Sequence, residues 1–272
     1  MSLGGKPLSA SGVPIYLLCL CINASLFAAG ESKNVEQQRF VPGEEVRIDI
    51  NDSGFGGGHF LVYVPSDYND KHDWPVIFYY HGAGTKPSTR LFRTNTAGKG
   101  FIIIGMENVQ RTEGKMTREQ YIDYLNRELA SILAVKAYVY KNLKVDEKRL
   151  FITGKSMGGW LVSAIAESSA KTWAGIAIFC AGRSSIALPG SRTAMRGKPV
   201  YIGTGENDQN RPAAQKAAAY YRQLEAKVTF EVYKGLGHKA DDKSETLHNW
   251  LLTGSSAKDT ESNQSDKVDK GS

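Results

Sequence analysis

Cysteine is nearly absent from the body of this 272-residue chain. Of its three cysteines, Cys19 and Cys21 sit in an apolar N-terminal segment, which leaves Cys180 alone. One thiol builds no disulfide framework, and no zinc-ligand spacing exists around it. Cys180 lies in the apolar run 176–180 and reads as a buried small hydrophobe. Long tracts of one charge are missing too. The net charge is +6 and the pI is near 9.0, yet no Lys/Arg run and no basic stripe interleaved with aromatics accompanies them. The usual footprint of nucleic-acid binding is therefore lacking, and the surplus lysines read as a solvated surface. No internal repeat is visible. At this length the chain has room for one α/β domain with a sizeable core, and little for a second.

The N-terminus has its own composition. Residues 1–14 carry a single charged side chain, Lys6, and 13–29 (VPIYLLCLCINASLFAA) are almost entirely apolar. Small residues follow at Ala28-Ala29-Gly30, before the polar stretch that begins at Glu31. A weakly positive start, an apolar stretch and a small-residue exit predict a secretory signal peptide over 1–30, cut near Gly30. Export to the periplasm or the medium is expected, without stable membrane insertion after cleavage. A retained anchor and lipidation at Cys19 or Cys21 compete with that reading. Asn23 and Ser25 interrupt the run, however, and Leu18 and Leu20 stand where a lipid signal wants a small residue. At the other end, 254–272 (GSSAKDTESNQSDKVDKGS) has almost no apolar residues and no periodicity, the composition of a disordered tail. The globular domain is expected over 31–253.

Within that domain, short apolar β-prone runs recur at 59–64, 76–80, 101–105, 150–153, 176–180, 200–203 and 228–233. Longer amphipathic stretches separate several of them. The clearest helix covers 118–143. Thr117 and Gln120 have capping-box spacing, and Ile122, Leu125, Leu129, Ile132, Leu133 and Lys136 define its predicted apolar face. Further helices are expected over 158–168, 212–226 and 244–252. Alternation of this kind predicts an α/β fold: a mostly parallel sheet with helices on both faces. The runs 46–50 and 59–64, joined by the glycine-rich 54–58, predict an antiparallel hairpin at one edge.

The chemistry centres on Gly154-Lys155-Ser156-Met157-Gly158, which stands between an apolar run and a helical pattern. A serine at a sharp strand-to-helix turn is pushed into a strained, exposed position that glycine neighbours permit. The turn also aims the Met157 amide and the start of the next helix at the place where an oxyanion would form. Ser156 is thus the candidate nucleophile. A serine hydroxyl needs a base, and the base needs an orienting acid. In parallel α/β sheets such groups collect beyond the carboxyl ends of strands. His238 follows the last apolar run, whereas His59 lies within a strand, His72 in a polar loop and His248 on a C-terminal helix. For the acid, Asp208 follows the run 200–203, with Glu206 the second choice. Asp241 and Asp242 follow the histidine too closely and read as loop charges. A second oxyanion donor is expected from Ala83 or Gly84, in the small-residue turn after 76–80, where His81 would brace the loop.

Tyr80-His81-Gly82-Ala83-Gly84, Gly154-Lys155-Ser156-Met157-Gly158-Gly159, Gly205-Glu206-Asn207-Asp208 and Gly235-Leu236-Gly237-His238 together resemble the α/β-hydrolase superfamily. The similarity runs from about Val46 to Leu252. Within it, the chain resembles small lidless esterases: the polyhydroxybutyrate depolymerase and feruloyl-esterase-like group, and the phospholipase/carboxylesterase group. The resemblance implies ester hydrolysis through an acyl-enzyme, with Ser156 as nucleophile, His238 as base and then acid, and Asp208 orienting it. It implies no metal and no organic cofactor. The partner is then a small-molecule or polymer ester. A peptidase or acyltransferase on the same scaffold, and a non-catalytic binding protein, are the alternatives. The short segment between Cys180 and Pro199 leaves no room for a large lid. Lys155 replaces the aromatic or small residue often found beside the nucleophile; it reads first as a lysine that snorkels to solvent, with attraction of an acidic substrate the alternative. Trp160 and Trp173 are candidates for an acyl pocket or for core packing.

Overall fold

The computed structural model describes residues 39–49, 58–108 and 116–255. The predicted signal peptide, the centre of the glycine-rich turn and nearly all of the predicted tail lie outside them. Eight strands form one sheet: β1 (Glu45–Asp49), β2 (His59–Tyr63), β3 (Trp74–Tyr80), β4 (Ile102–Met106), β5 (Val145–Lys155), β6 (Gly175–Phe179), β7 (Pro199–Gly205) and β8 (Lys227–Tyr233). Their spatial order is β1-β2-β4-β3-β5-β6-β7-β8. β2 runs antiparallel to β1 and to β4, and the rest of the sheet is parallel. The expected edge hairpin is therefore present. Parallel strands covered on both faces should read as unbroken apolar runs, and every residue of β3, β4 and β6 is buried.

Helices α1 (Arg90–Asn95), α2 (Arg118–Asn142), α3 (Met157–Ile165), α4 (Arg192–Met195), α5 (Arg211–Gln223) and α6 (Glu245–Ser255) cover the two faces. One face packs Leu125, Ile132 and Val135 of α2, Leu161 and Val162 of α3, and Ala217 and Tyr221 of α5 against the sheet. The other packs Phe92 of α1 and Leu247, Trp250 and Leu251 of α6. The mostly parallel, two-faced architecture expected from the alternation is what the chain adopts. α1 and α4 were not anticipated, because six and four residues are too few to show a helical period. α6 continues through Gly254 and Ser255, two residues into the stretch read as tail. Gly254 packs against Phe151, where an added Cβ would come within 2.9 Å of the ring.

The buried face of α2 shares Leu125 and Ile132 with the predicted one, and Ile122 and Leu129 pack against the same core, but Leu133 is off it. The capping box forms as expected, with Gln120 N–H donating to Thr117 Oγ1 and Thr117 N–H to Gln120 Oε1. The buried stripe, however, is Tyr124, Leu125, Glu128, Ser131, Ile132, Val135 and Val139. Leu133 is 46% exposed. Two polar members in the stripe disguise its period. Glu128 is there because α2 crosses the fully buried Tyr80, and burial, reinforced by that carboxylate, pushes the Tyr80 phenol far above its ordinary pKa. Leu125→Ala should therefore cost about 2–5 kcal/mol in urea denaturation. Leu133→Ser should stay within about 0.5 kcal/mol of wild type, the reverse of what its place on the predicted apolar face requires.

Candidate active site

Five loops meet beyond the carboxyl edge of the sheet, and the site is built where β3, β5, β6, β7 and β8 end. Ser156 links β5 to α3 at φ 55° and ψ −118°, a backbone conformation that few non-glycine residues adopt. Its N–H donates to the Phe179 carbonyl at 2.8 Å, and its carbonyl accepts the Trp160 N–H at 3.0 Å. The flanking glycines are there for space. A Cβ on Gly158 would fall 2.4 Å from the Tyr80 carbonyl oxygen, and one on Gly154 would fall 2.3 Å from that of Gly158. Both obstacles are backbone, which cannot move aside. The tight turn thus rests on α3 lying directly against the end of β3.

The chain that follows β3 completes this side. A Cβ on Gly82 would meet Ser156 Cβ at 3.3 Å, so this backbone passes beside the serine. Thr85 N–H closes a turn onto the Gly82 carbonyl at 3.4 Å, with Gly84 at φ 70° and both Ala83 and Gly84 exposed. Met157 is the first residue of α3, so its N–H is one of the helix-start donors that have no intrahelical partner. Met157 thus follows Ser156 directly, and Ala83 and Gly84 follow Gly82, the residue of this turn that passes beside the serine. His81 is buried, with Nδ1 2.8 Å from the Gly82 carbonyl oxygen and Nε2 3.2 Å from Glu107 Oε1. His59 reaches the other oxygen of Glu107 at 3.5 Å. His81 braces the turn, and His59, His72 (stacked on Trp74 at 4.2 Å) and His248 (on α6) play no part in the site.

On the opposite side, the loops after β7 and β8 are zipped together. Asn207 N–H donates to the Leu236 carbonyl at 2.8 Å, and Glu206 Oε2 accepts the Gly235 N–H at 2.9 Å. An added Cβ on Gly205 would overlap the Gly237 carbonyl oxygen at 1.9 Å. This contact sets His238 between Asp208 and Ser156. Ser156 Oγ–H donates to His238 Nε2 at 2.8 Å, and His238 Nδ1–H donates to Asp208 Oδ1 at 2.9 Å. Glu206, the second choice for the acid, ties the loop and leaves the histidine to Asp208. Asp241 accepts the Lys243 N–H in its own loop.

Cys180 carries more than the sequence suggested. It is fully buried, as expected, but holds φ 52° at the end of β6 and lies against Asp208. Burial, with Asp208 beside it, pushes its thiol up to about 12. Its carbonyl accepts from Asn210 Nδ2 at 3.0 Å, and Asn210 N–H donates to Asp208 Oδ1 at 2.9 Å. Thr204 Oγ1 donates to Asp208 Oδ2 at 3.2 Å. Burial alone would raise the Asp208 pKa. The Asn210 N–H, the His238 ring and the Cys180 thiol outweigh it and hold the carboxyl below its ordinary value. Ligating atoms of Cys180, Asp208 and His238 lie within 4.8 Å of one another. A thiol this reluctant to ionise, on a carboxylate already committed to a histidine, has the chemistry of a hydrogen-bond network rather than of a metal site. The positive φ of Cys180 was the structural signal, and nothing in the sequence announces it.

The two tryptophans separate. Trp173 is buried in the core, edge-on to Phe78, with Nε1–H donating to Ser169. Trp160 is half-buried and covers Gly182, where a Cβ would meet its ring at 2.7 Å.

Two stability predictions follow from this geometry. Gly158→Ala must displace α3 from the end of β3, so it should lower thermal stability and greatly reduce soluble expression, whereas Gly237→Ala, with open space around its Cβ position, should be mild. A carboxyl with a depressed folded pKa stabilises fully above its unfolded pKa, and the contribution fades as pH falls through the folded value. The stability difference between wild type and Asp208→Asn should therefore narrow between about pH 5 and pH 2 in denaturation titrations.

The family model described as PETase, PET hydrolase-like, matches residues 36–249. No curated protein sequence matches the chain. Among solved structures, a ferulic acid esterase from Anaeromyces mucronatus, in complex with ferulic acid, aligns with a TM-score of 0.59 at 15% identity over 82% of this chain and 93% of that one. A fluorophosphonate-binding serine hydrolase from Staphylococcus aureus gives 0.55 at 17% identity over 78% and 98%. A phospholipase/carboxylesterase from Dyadobacter fermentans gives 0.51 at 17% over 79% and 99%. At such identities these neighbours speak for the α/β-hydrolase fold. The family match covers more than three quarters of the sequence and every strand of the sheet: the chain belongs to the PET hydrolase-like family of α/β-hydrolases, and is an esterase-type serine hydrolase.

Proposed function

We propose that this protein is an exported serine esterase that hydrolyses carboxylic esters through an acyl-enzyme on Ser156. The observation that carries the reading is the continuous chain of hydrogen bonds from Ser156 Oγ through His238 to Asp208. As Ser156 Oγ bonds to the ester carbonyl carbon, its proton passes to His238 Nε2, and the carbonyl electrons move onto oxygen. The Met157 N–H, with that of Ala83 or Gly84, meets the oxyanion. When the tetrahedral adduct collapses, the C–O bond to the alcohol breaks, and His238 protonates the departing oxygen. Water then adds to the acyl-Ser156 carbonyl while His238 takes its proton, and Ser156 leaves as the acid forms. Asp208 fixes the tautomer of His238 and stabilises the imidazolium formed in each half-reaction.

The family and the ferulic acid esterase likeness support an ester with an aromatic part, free or within a polymer. The surface supports it as well: His238 is exposed and Ser156 half-exposed, so a bulky substrate meets the hydroxyl directly. Export is supported by the apolar segment 13–29 and its small-residue exit, outside the described residues. Among the described residues no helix is long and apolar enough to cross a membrane.

Purified protein should hydrolyse p-nitrophenyl butyrate, and Ser156→Ala should lose at least about a thousandfold in kcat. A fluorophosphonate probe should label Ser156. Full activity in the alanine variant would overturn the nucleophile assignment, and absent labelling would favour a non-catalytic member of the fold.

A further inference from the structure

Lys155 is the residue beside the active centre for which the mechanism has no use. It is the last residue of β5, paired with Phe179 and directly preceding Ser156, and it is half-buried. Its strand neighbours on the same face, Phe151 and Phe179, belong to the aromatic core, so the side chain continues that face upward to the rim of the site. Its charge reaches the site from there, since the ammonium favours ionisation of the buried Cys180 thiol.

The Lys155 ammonium makes no hydrogen bond or ion pair among the described residues, and, Asp242 apart, the described carboxylates on the surrounding loops are already engaged. Glu107 is held by His59 and His81. Asp208 is bound by His238, Asn210 and Thr204. Glu206 accepts the Gly235 N–H, and Asp241 accepts the Lys243 N–H. Asp242 lies farther along the same loop, half-exposed. The other charged groups at this edge, Lys86, Arg211, Lys234 and Lys239, are cationic, and the three lysines are exposed. A half-buried ammonium without a counter-charge, one residue from the reacting hydroxyl, attracts an anion more strongly than a fully solvated lysine does.

We propose that Lys155 is a specificity residue that selects esters bearing a free carboxylate close to the scissile bond. It rests on the esterase reading above and adds the substrate class to it. The lysine stem spans four methylenes, so its ammonium can meet an anion on either side of the ester, about four to six bonds from the carbonyl carbon. The carboxylate can belong to the acyl part, as in the half-ester of a short dicarboxylic acid, or to the alcohol, as in an ester of a hydroxybenzoic acid. Either would be a fragment with one acid end already released from a longer polyester.

The test compares matched esters of opposite charge state. For the acyl side, the pair is mono-p-nitrophenyl glutarate and p-nitrophenyl butyrate. For the alcohol side, it is 4-butyryloxybenzoate and its methyl ester. In at least one pair, the acidic-to-neutral ratio of kcat/KM should fall about tenfold in Lys155→Met and be kept in Lys155→Arg. The loss should sit in KM, and the wild-type ratio should shrink as salt rises from about 20 mM to 500 mM, because a partly exposed pair is screened. Ratios in both pairs that are unchanged by Lys155→Met overturn the assignment while leaving the esterase reading intact. Wild-type protein that hydrolyses none of the four esters overturns both.

Discussion

Everything at the site depends on how closely α3 approaches the end of β3. The Gly158 Cα sits where any side chain would strike the Tyr80 and His81 carbonyl oxygens, and Gly154 is pressed against Gly158 in the same way. With those two backbones in contact, the turn between β5 and α3 has no slack, and Ser156 must take φ 55°. A non-glycine residue held there costs about 1–3 kcal/mol, which the surrounding sheet has to offset. What the strain secures is placement. Ser156 Oγ reaches His238, α3 starts at the next residue, and the turn after β3 passes so close that a Cβ on Gly82 would touch the serine. Relaxing any one of these contacts would move all three.

A second strained residue supports the first from the neighbouring strand. Cys180 follows β6 at φ 52°, one strand over from Ser156, and its N–H is held by the Gly203 carbonyl of β7. That conformation turns its thiol toward Asp208 and its carbonyl toward Asn210, whose own N–H also reaches Asp208. The carboxylate is thus gripped by β6, by β7 through Thr204 and by the loop that follows. It is buried, yet it remains the anion, because four donors replace the water it has lost. A histidine oriented by a fixed anion needs no rearrangement when it becomes charged, which is the condition for electrostatic stabilisation without a reorganisation cost.

The sheet and the central residues were legible because their physics is local in sequence. Strands covered on both faces must be apolar throughout, so β3, β4 and β6 stand out as runs. The order Ser156, Asp208, His238 follows from residues placed just after such runs. The features that escaped notice depend on contacts between distant segments. The buried stripe of α2 includes Glu128, which meets the polar tip of Tyr80, and Ser131; polar residues at core positions hide the face from a search for apolar ones, and so Leu133 was assigned to the wrong face. Cys180 looked like packing because its backbone angle has no counterpart in residue type. Glu107 has no motif at all, and its role arises only when β2, β3 and β4 bring His59 and His81 to either side of it. Helix α1 was missed for a different reason. It is short, and it exists because Phe92 fills the gap between Tyr79 and Phe179.

The openness of the site has a structural cause beyond the shortness of the segment that might have covered it. Residues 181–198 are fastened down along their length. The Ser184 N–H donates to Ser163 Oγ, and the Leu188 N–H to the Ala164 carbonyl, both on α3. Arg183 pairs with Glu167 at 2.9 Å and lies over the Tyr220 ring at 4.0 Å, while Tyr220 itself donates to Glu167. Gly190 packs so closely on the Glu167 backbone that a Cβ would come within 2.7 Å. An ion pair of this kind, partly buried and stacked on an aromatic ring, is worth more than a surface contact, and breaking it would strand Glu167 below the loop. A segment tied to α3 and α5 in this way cannot swing over Ser156 without giving up several contacts at once. Among the described residues substrate selection therefore falls to the rim rather than to this segment, and on that rim stands Lys155, whose ammonium has no partner among them.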